Sequence, residues 1–88
     1  MTERSVTIVN PLGLHARPAA QMVRLASTFA SHVELERDGM SVNAKSIMGV
    51  MMLAAECGAA LVLRADGADE AAAVEALAAL VARGFDET

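Results

Sequence analysis

Apolar and polar residues alternate from Glu3 to Val9. Val6 and Ile8 fall on one side, Ser5 and Thr7 on the other. A period of two is the pattern of a half-buried strand. Asn10-Pro11 breaks it, because proline cannot donate to a ladder and restricts the residue before it. Gly13 permits a sharp turn. From Ala16 to Ala30 the period lengthens to that of a helix. Arg17, Gln21, Arg24 and Thr28 form a polar stripe, and Ala19, Val23, Ala26 and Ala30 an apolar one. Pro18 falls in the first turn, where a missing N–H costs little.

Alternation returns in Val33-Glu34-Leu35-Glu36-Arg37. Asp38-Gly39 is a two-residue hairpin signal, and Met40-Ser41-Val42-Asn43 runs back antiparallel. Ser46 is placed to cap a short apolar helix from Ile47 to about Ala55, which Cys57-Gly58 closes. Ala59 to Ala65 reads as the fourth strand, with Leu61 and Leu63 on one side and Val62 and Arg64 on the other. Asp69 and Glu70 open a long alanine-rich helix whose inner face is Val74, Leu77 and Val81. Gly84 suits the position after its end, with Phe85 packing back on Leu80. The order is β-α-β-β-α-β-α. One-sided strands imply an α+β domain spanning residues 1–88: a four-stranded antiparallel sheet with three helices on one face.

Composition narrows what such a domain can do. With 88 residues, 55% of them hydrophobic and only 2% aromatic, the core must be built from Ala, Val, Leu, Ile and Met. Aromatic platforms for single-stranded nucleic acid are missing, and a net charge of -4 also argues against nucleic acid as a partner. The charge is uneven. Residues 1–45 carry five Lys/Arg and four Asp/Glu, a net of +1; residues 46–88 carry two and seven, a net of -5. An anion would be received in the first half. One cysteine excludes an internal disulfide and fits a reducing compartment. The first residues have no apolar run of leader type, and no stretch approaches the roughly 20 residues of a spanning helix. A cytoplasmic monomer without membrane insertion is expected.

His15 is the first candidate for chemistry. Just ahead of Ala16-Arg17, it stands over the free N–H groups of a helix N-terminus, which together with the helix dipole form an anion site. A neutral imidazole there is a nucleophile, and the Arg17 fork suits phosphate oxygens. These groups fit a histidine that accepts a phosphoryl group and gives it up again. A lone histidine before a helix also serves simply as a cap or surface residue, and the residues alone leave both open. His32 and Cys57 lack ligand spacing to His15, so no metal and no cofactor is expected.

Ser46 needs no role beyond its cap, although a phosphate would be tolerated at that helix start. In the run Ile47 to Leu53, Val50 and Leu53 should point inward. Ile47, Met48 and Met51 should stay partly exposed as an adaptable contact patch. His32 reads as a surface residue at a strand start, and Cys57 as a buried or half-buried small hydrophobe. Glu34, Glu36, Glu70 and Glu75 read as a solvated face.

Asn10 to Ala20, with Gly13-Leu14-His15-Ala16-Arg17-Pro18-Ala19 at its centre, closely resembles the active-site segment of the HPr family, the histidine-containing phosphocarriers of the phosphoenolpyruvate-dependent phosphotransferase system (PTS). Ala44-Lys45-Ser46-Ile47-Met48-Gly49-Val50-Met51 resembles the family's second signature. The likeness covers essentially the whole chain. It implies an open-faced β-sandwich. It implies that His15 takes a phosphoryl group from phospho-enzyme I, by family analogy on Nδ1, and passes it to IIA domains of sugar permeases or regulators. Arg17 and the Ala16 and Arg17 amides would steady that group. Ile47, Met48 and Met51 would be the docking patch. Ser46 would be the position phosphorylated by HPr kinase/phosphorylase, with a transcriptional regulator as a further partner. The chain would be a stoichiometric carrier and not a turnover enzyme. Gly84-Phe85-Asp86-Glu87 resembles instead the tail of the nitrogen-regulatory branch. That implies the alternative of a regulatory phosphoprotein acting mainly as a binding module.

Overall fold

Four strands and three helices form in the order predicted. The computed structural model describes residues 1–86, so Glu87 of the Gly84–Glu87 tail lies outside the described residues. Strand β1 is Thr2–Thr7, helix α1 Ala16–Ala26, β2 His32–Arg37, β3 Met40–Asn43, α2 Ile47–Met52, β4 Ala60–Asp66 and α3 Glu70–Ala82, with a 3-10 turn at Gly84–Asp86. All strand pairs are antiparallel and the sheet order is β1-β4-β2-β3.

The alternation in the sequence becomes the two faces of the sheet. Ile8, Val33, Leu35, Leu61, Leu63 and Ala65 are buried on one side, and Val6 and Val42 are partly buried with them. On that side α3 lies against β1 and β4, α2 lies against β3, and α1 packs on both α2 and α3. Helix α3 contributes Ala73, Val74, Leu77, Ala78, Leu80 and Val81 to the core. Its small alanines let it lie close to the strands. Phe85 is fully buried beyond the helix end, where Gly84 takes the left-handed conformation (φ 66°) expected of a residue ending a helix.

The other side faces solvent and carries paired charges. Arg64 bridges Glu3 and Glu36 across three strands, and His32 Nε2 lies 2.9 Å from Glu34 Oε2. The four glutamates expected to share one solvated face are therefore divided. Glu34 and Glu36 sit half-buried on the open sheet; Glu70 and Glu75 belong to α3.

Helix α1 ends four residues before Ala30. Ser27-Thr28-Phe29 are weak helix formers, and after Ser27, which still donates to Val23, the chain takes a tighter path. Thr28 and Phe29 donate three residues back, to Leu25 and Ala26, while the Thr28 hydroxyl also bonds the Leu25 carbonyl. The shorter helix changes the inner stripe. Met22 is fully buried where Val23 was expected and Val23 is only partly so; Ala30 is exposed. Helix α2 likewise stops at Met52, not near Ala55, because Ala54 turns into the left-handed region (φ 48°). Cys57 lies on the surface, contrary to the expected burial, since residues 56–58 form an exposed turn before β4.

Asp69 precedes α3 as expected, yet its carboxylate does not cap that helix. It accepts from the N–H groups of Ala30 (2.8 Å) and Ser31 (2.9 Å) and from the Ser31 hydroxyl. The early end of α1 leaves those N–H groups without helical acceptors, and Asp69 supplies one. The neighbouring Glu70 accepts from the Thr2 hydroxyl (2.6 Å) and from the Gly67 N–H (3.2 Å) and pairs with the Met1 ammonium at 2.9 Å. These bonds hold both carboxylates below their ordinary range. For Glu70 the Thr2 hydroxyl is the main cause and the value falls to about 2; for Asp69 it is the Ser31 hydroxyl. A carboxylate depressed in the fold stabilises it above the unfolded pKa and stops doing so as protons bind. Stability should be level above about pH 4.5 and decline as pH falls toward 2. Urea midpoints measured across that range should show the decline, and Glu70→Gln should flatten its acid end.

Candidate functional site

The His15 junction is a turn closed at several points. Asn10, buried although polar, accepts the Gly13 N–H on its carbonyl (3.1 Å) and donates from Nδ2 to the Gly13 carbonyl (2.8 Å). The His15 N–H donates to that same carbonyl at 3.0 Å. Leu14 is buried and its N–H donates to the carbonyl of Ala55 at 2.8 Å, tying the turn to the chain that leaves α2. Gly13 is needed here. Its φ is +70°, and a Cβ added there would stand 2.4 Å from the Ala55 oxygen. On the other side Gly84, at the end of α3, approaches the loop so closely that a Cβ would touch Val9 and Asn10 at 3.7 Å. The loop is wedged between the ends of two helices.

His15 itself is the residue before α1, extended (φ -78°, ψ -172°) and half-buried. Its carbonyl accepts the Ala19 N–H at 3.0 Å, the first bond of the helix. The N-cap residue makes no side-chain cap hydrogen bond here, and no acidic residue lies in the first turn. Pro18 has no N–H to offer. The Ala16 and Arg17 N–H groups therefore remain at the helix start, beside the imidazole, as donors for an anion. Arg17 is exposed, and among the described residues no carboxylate stands within ion-pair distance of its guanidinium. An exposed guanidinium of this kind can reach a bound oxyanion.

Ser46 precedes α2 and its hydroxyl oxygen accepts the Gly49 N–H at 3.1 Å, as the cap predicted from sequence. Val50 and Leu53 are buried; Ile47 (44%), Met48 (77%) and Met51 (42%) are exposed, dividing the helix as expected. The exposed apolar surface is wider than the sequence suggested. Met52 (65% exposed) extends it along α2, and Val9 and Leu12 stand exposed around the His15 loop itself. Leu12 had a signal: an apolar residue between Pro11 and Gly13 at a turn tip has no core to reach. Because α1 packs on α2, this surface lies next to the helix that begins at His15.

The family model described as "PTS HPr component phosphorylation site" matches residues 2–83. This chain belongs to the HPr family. Members of the family are phosphocarriers of the phosphotransferase system. The phosphocarrier protein HPr of Cupriavidus necator is 53% identical over 87 residues, covering 99% of this chain and 98% of that protein. The crystal structure of HPr-C-His from Thermoanaerobacter tengcongensis superposes with a TM-score of 0.96 at 46% identity, covering 100% of this chain and 99% of that one. The Bacillus subtilis protein Crh, described as a catabolite repression protein with a swapped domain in a dimer, is 49% identical with a TM-score of 0.77 over 96% of this chain and 97% of its own. The HPr fold and the phosphocarrier class are thus those that the His15 and Ser46 segments implied.

Gly13→Ala tests the turn geometry. A left-handed alanine pressed against the Ala55 carbonyl should cost about 2 kcal/mol or more in urea unfolding. It should also shift the backbone resonances of Leu14 and His15 while leaving those of β2 and β3 in place.

Proposed function

We propose that His15 is the residue that carries the phosphoryl group. A ring nitrogen, by family analogy Nδ1, attacks the phosphorus presented by phospho-enzyme I. The new N–P bond forms as the bond to the donor breaks. A IIA domain of a sugar permease or regulator then collects the group by the same displacement. The Ala16 and Arg17 N–H groups and the Arg17 guanidinium hold the phosphoryl oxygens between the two transfers. The observation that supports this most strongly is the start of α1 beside the imidazole, with donors at hand and no acidic group in the first turn. In this reading the group is held and handed on, without turnover on the chain itself. In this reading residues 1–88 act as one carrier domain, as a monomer in the cytoplasm; the swapped dimer is a property of Crh.

The same proposal gives the exposed face of α2 a role. Ile47, Met48 and Met51 form an apolar, flexible surface that enzyme I and IIA domains can share, since thioether side chains repack against different partners. Ser46, half-buried at the start of that helix, is the proposed regulatory position for HPr kinase/phosphorylase, and a transcriptional regulator would read its state. A phosphate there would set negative charge beside the docking surface.

Incubation with phosphoenolpyruvate and enzyme I should give an acid-labile label, and His15→Ala should lose it while unfolding cooperatively. Label that survives acid, or persists in the alanine variant, would contradict the histidine assignment. Arg17→Ala should slow transfer by about 10²-fold, as loss of one oxyanion donor does elsewhere. Ser46→Asp should raise the KM for enzyme I on the order of tenfold, an effect that added salt reduces.

A further inference from the structure

The Arg37 side chain connects two parts of the fold that no secondary structure joins. It leaves the end of β2 half-buried. Its Nη1 donates to the carbonyls of Leu53 (3.2 Å) and Ala54 (2.9 Å), and its Nη2 to Glu56 Oε1 (2.6 Å). One guanidinium thus spans the exit of α2, binding residues 53, 54 and 56. Between them stands Ala55, whose carbonyl accepts the Leu14 N–H and presses against Gly13.

The segment that Arg37 holds needs a holder. Ala54 is a non-glycine residue at φ 48°, a conformation in which an alanine is unfavourable. The Leu53 and Ala54 carbonyls, at the open end of α2, have lost their helical donors, and the guanidinium replaces them. Arginine suits this task better than lysine. Its planar fork satisfies two carbonyls and a carboxylate at once, whereas an ammonium is a point charge on a flexible stem. Glu56 completes the clamp and raises the guanidinium's hold on its proton.

We infer that Arg37 is a positioning residue for phosphoryl transfer at His15. It fixes the Leu53–Glu56 segment, and thereby the Ala55 carbonyl on which the Gly13-Leu14-His15 turn rests. Arg37 touches neither the imidazole nor any phosphoryl oxygen. Its effect passes through one hydrogen bond, Leu14 N–H to Ala55 O. This rests on the role proposed for His15, but the state of that bond can be read without any transfer.

The test compares the unsubstituted chain, Arg37→Met and Asp69→Asn. Methionine keeps an apolar stem and removes the donors. Asp69→Asn weakens a latch at the far end of α1 and serves as a control for general destabilisation. Amide hydrogen exchange should show Leu14 losing protection by about tenfold or more in Arg37→Met relative to the Leu63 amide in the central strand, while in Asp69→Asn the two change together. With enzyme I and phosphoenolpyruvate, kcat for phosphorylation of Arg37→Met should fall by about tenfold, since small misplacements of a reacting group cost rate steeply, while KM stays near that of the unsubstituted chain. Leu14 protection equal to that of the unsubstituted chain would overturn the inference. So would a kcat loss no larger than that of Asp69→Asn, or a loss confined to KM, which would place Arg37 in docking. If the unsubstituted chain accepts no phosphoryl group, the His15 proposal fails; the exchange at Leu14 still decides whether Arg37 positions the turn.

Discussion

The close meeting of Gly13 with the Ala55 carbonyl is the constraint on which the His15 junction depends. A main-chain oxygen stands where any Cβ would have to go, and the next residue, Leu14, donates its N–H to that oxygen. The turn can therefore pass so near only as glycine in a left-handed conformation. From there the chain enters α1 with its first N–H groups open. The sheet and the helix layer act as a frame that brings the end of α2, the end of α3 and the start of α1 to one place. The core residues matter to function mainly because they fix that meeting.

The division of labour between helices follows from their faces. Helix α3 turns its buried residues to β1 and β4 and locks the frame, with Asp69 and Glu70 tying its start to Ser31 and Thr2. Helix α1 offers its N-terminus. Helix α2 is only six residues long and buries Val50 alone within them, so most of its side chains remain on the surface. A short helix that fails to bury its apolar residues is a poor contributor to stability and a good contact surface. Placing it against α1 sets the apolar surface beside the histidine, so that a partner docked on methionines would bring its own reacting group to the ring.

Much of this was legible in the sequence because local patterns carried it. The two-residue alternation in Glu3–Val9 and Val33–Arg37, the Asp38-Gly39 turn and the Ser46 cap each depend on neighbours within four residues, and each formed. The proline in the first turn and the glycine two residues before His15 marked the junction for similar reasons. What was not legible depends on contacts across the chain. The early end of α1 leaves N–H groups that Asp69 satisfies from 38 and 39 residues away. Arg37 meets the end of α2 across 16 and 17 residues. Cys57 looked like a small core residue by type, yet it falls in the exposed turn between Ala55 and β4. In the cases of Asp69 and Arg37 a backbone group left over by one element was satisfied by a side chain from another, and no periodicity records such a pairing.

The phosphoryl group proposed for His15 would be held by the main chain at the start of α1, and nuclear magnetic resonance of the phosphorylated chain reads this most directly. On phosphorylation the amide protons of Ala16 and Arg17 should move downfield, as expected of donors to a dianionic group, while the amides in the first turn of α3 stay in place. A change limited to the His15 ring, with the Ala16 and Arg17 amides unmoved, would contradict it.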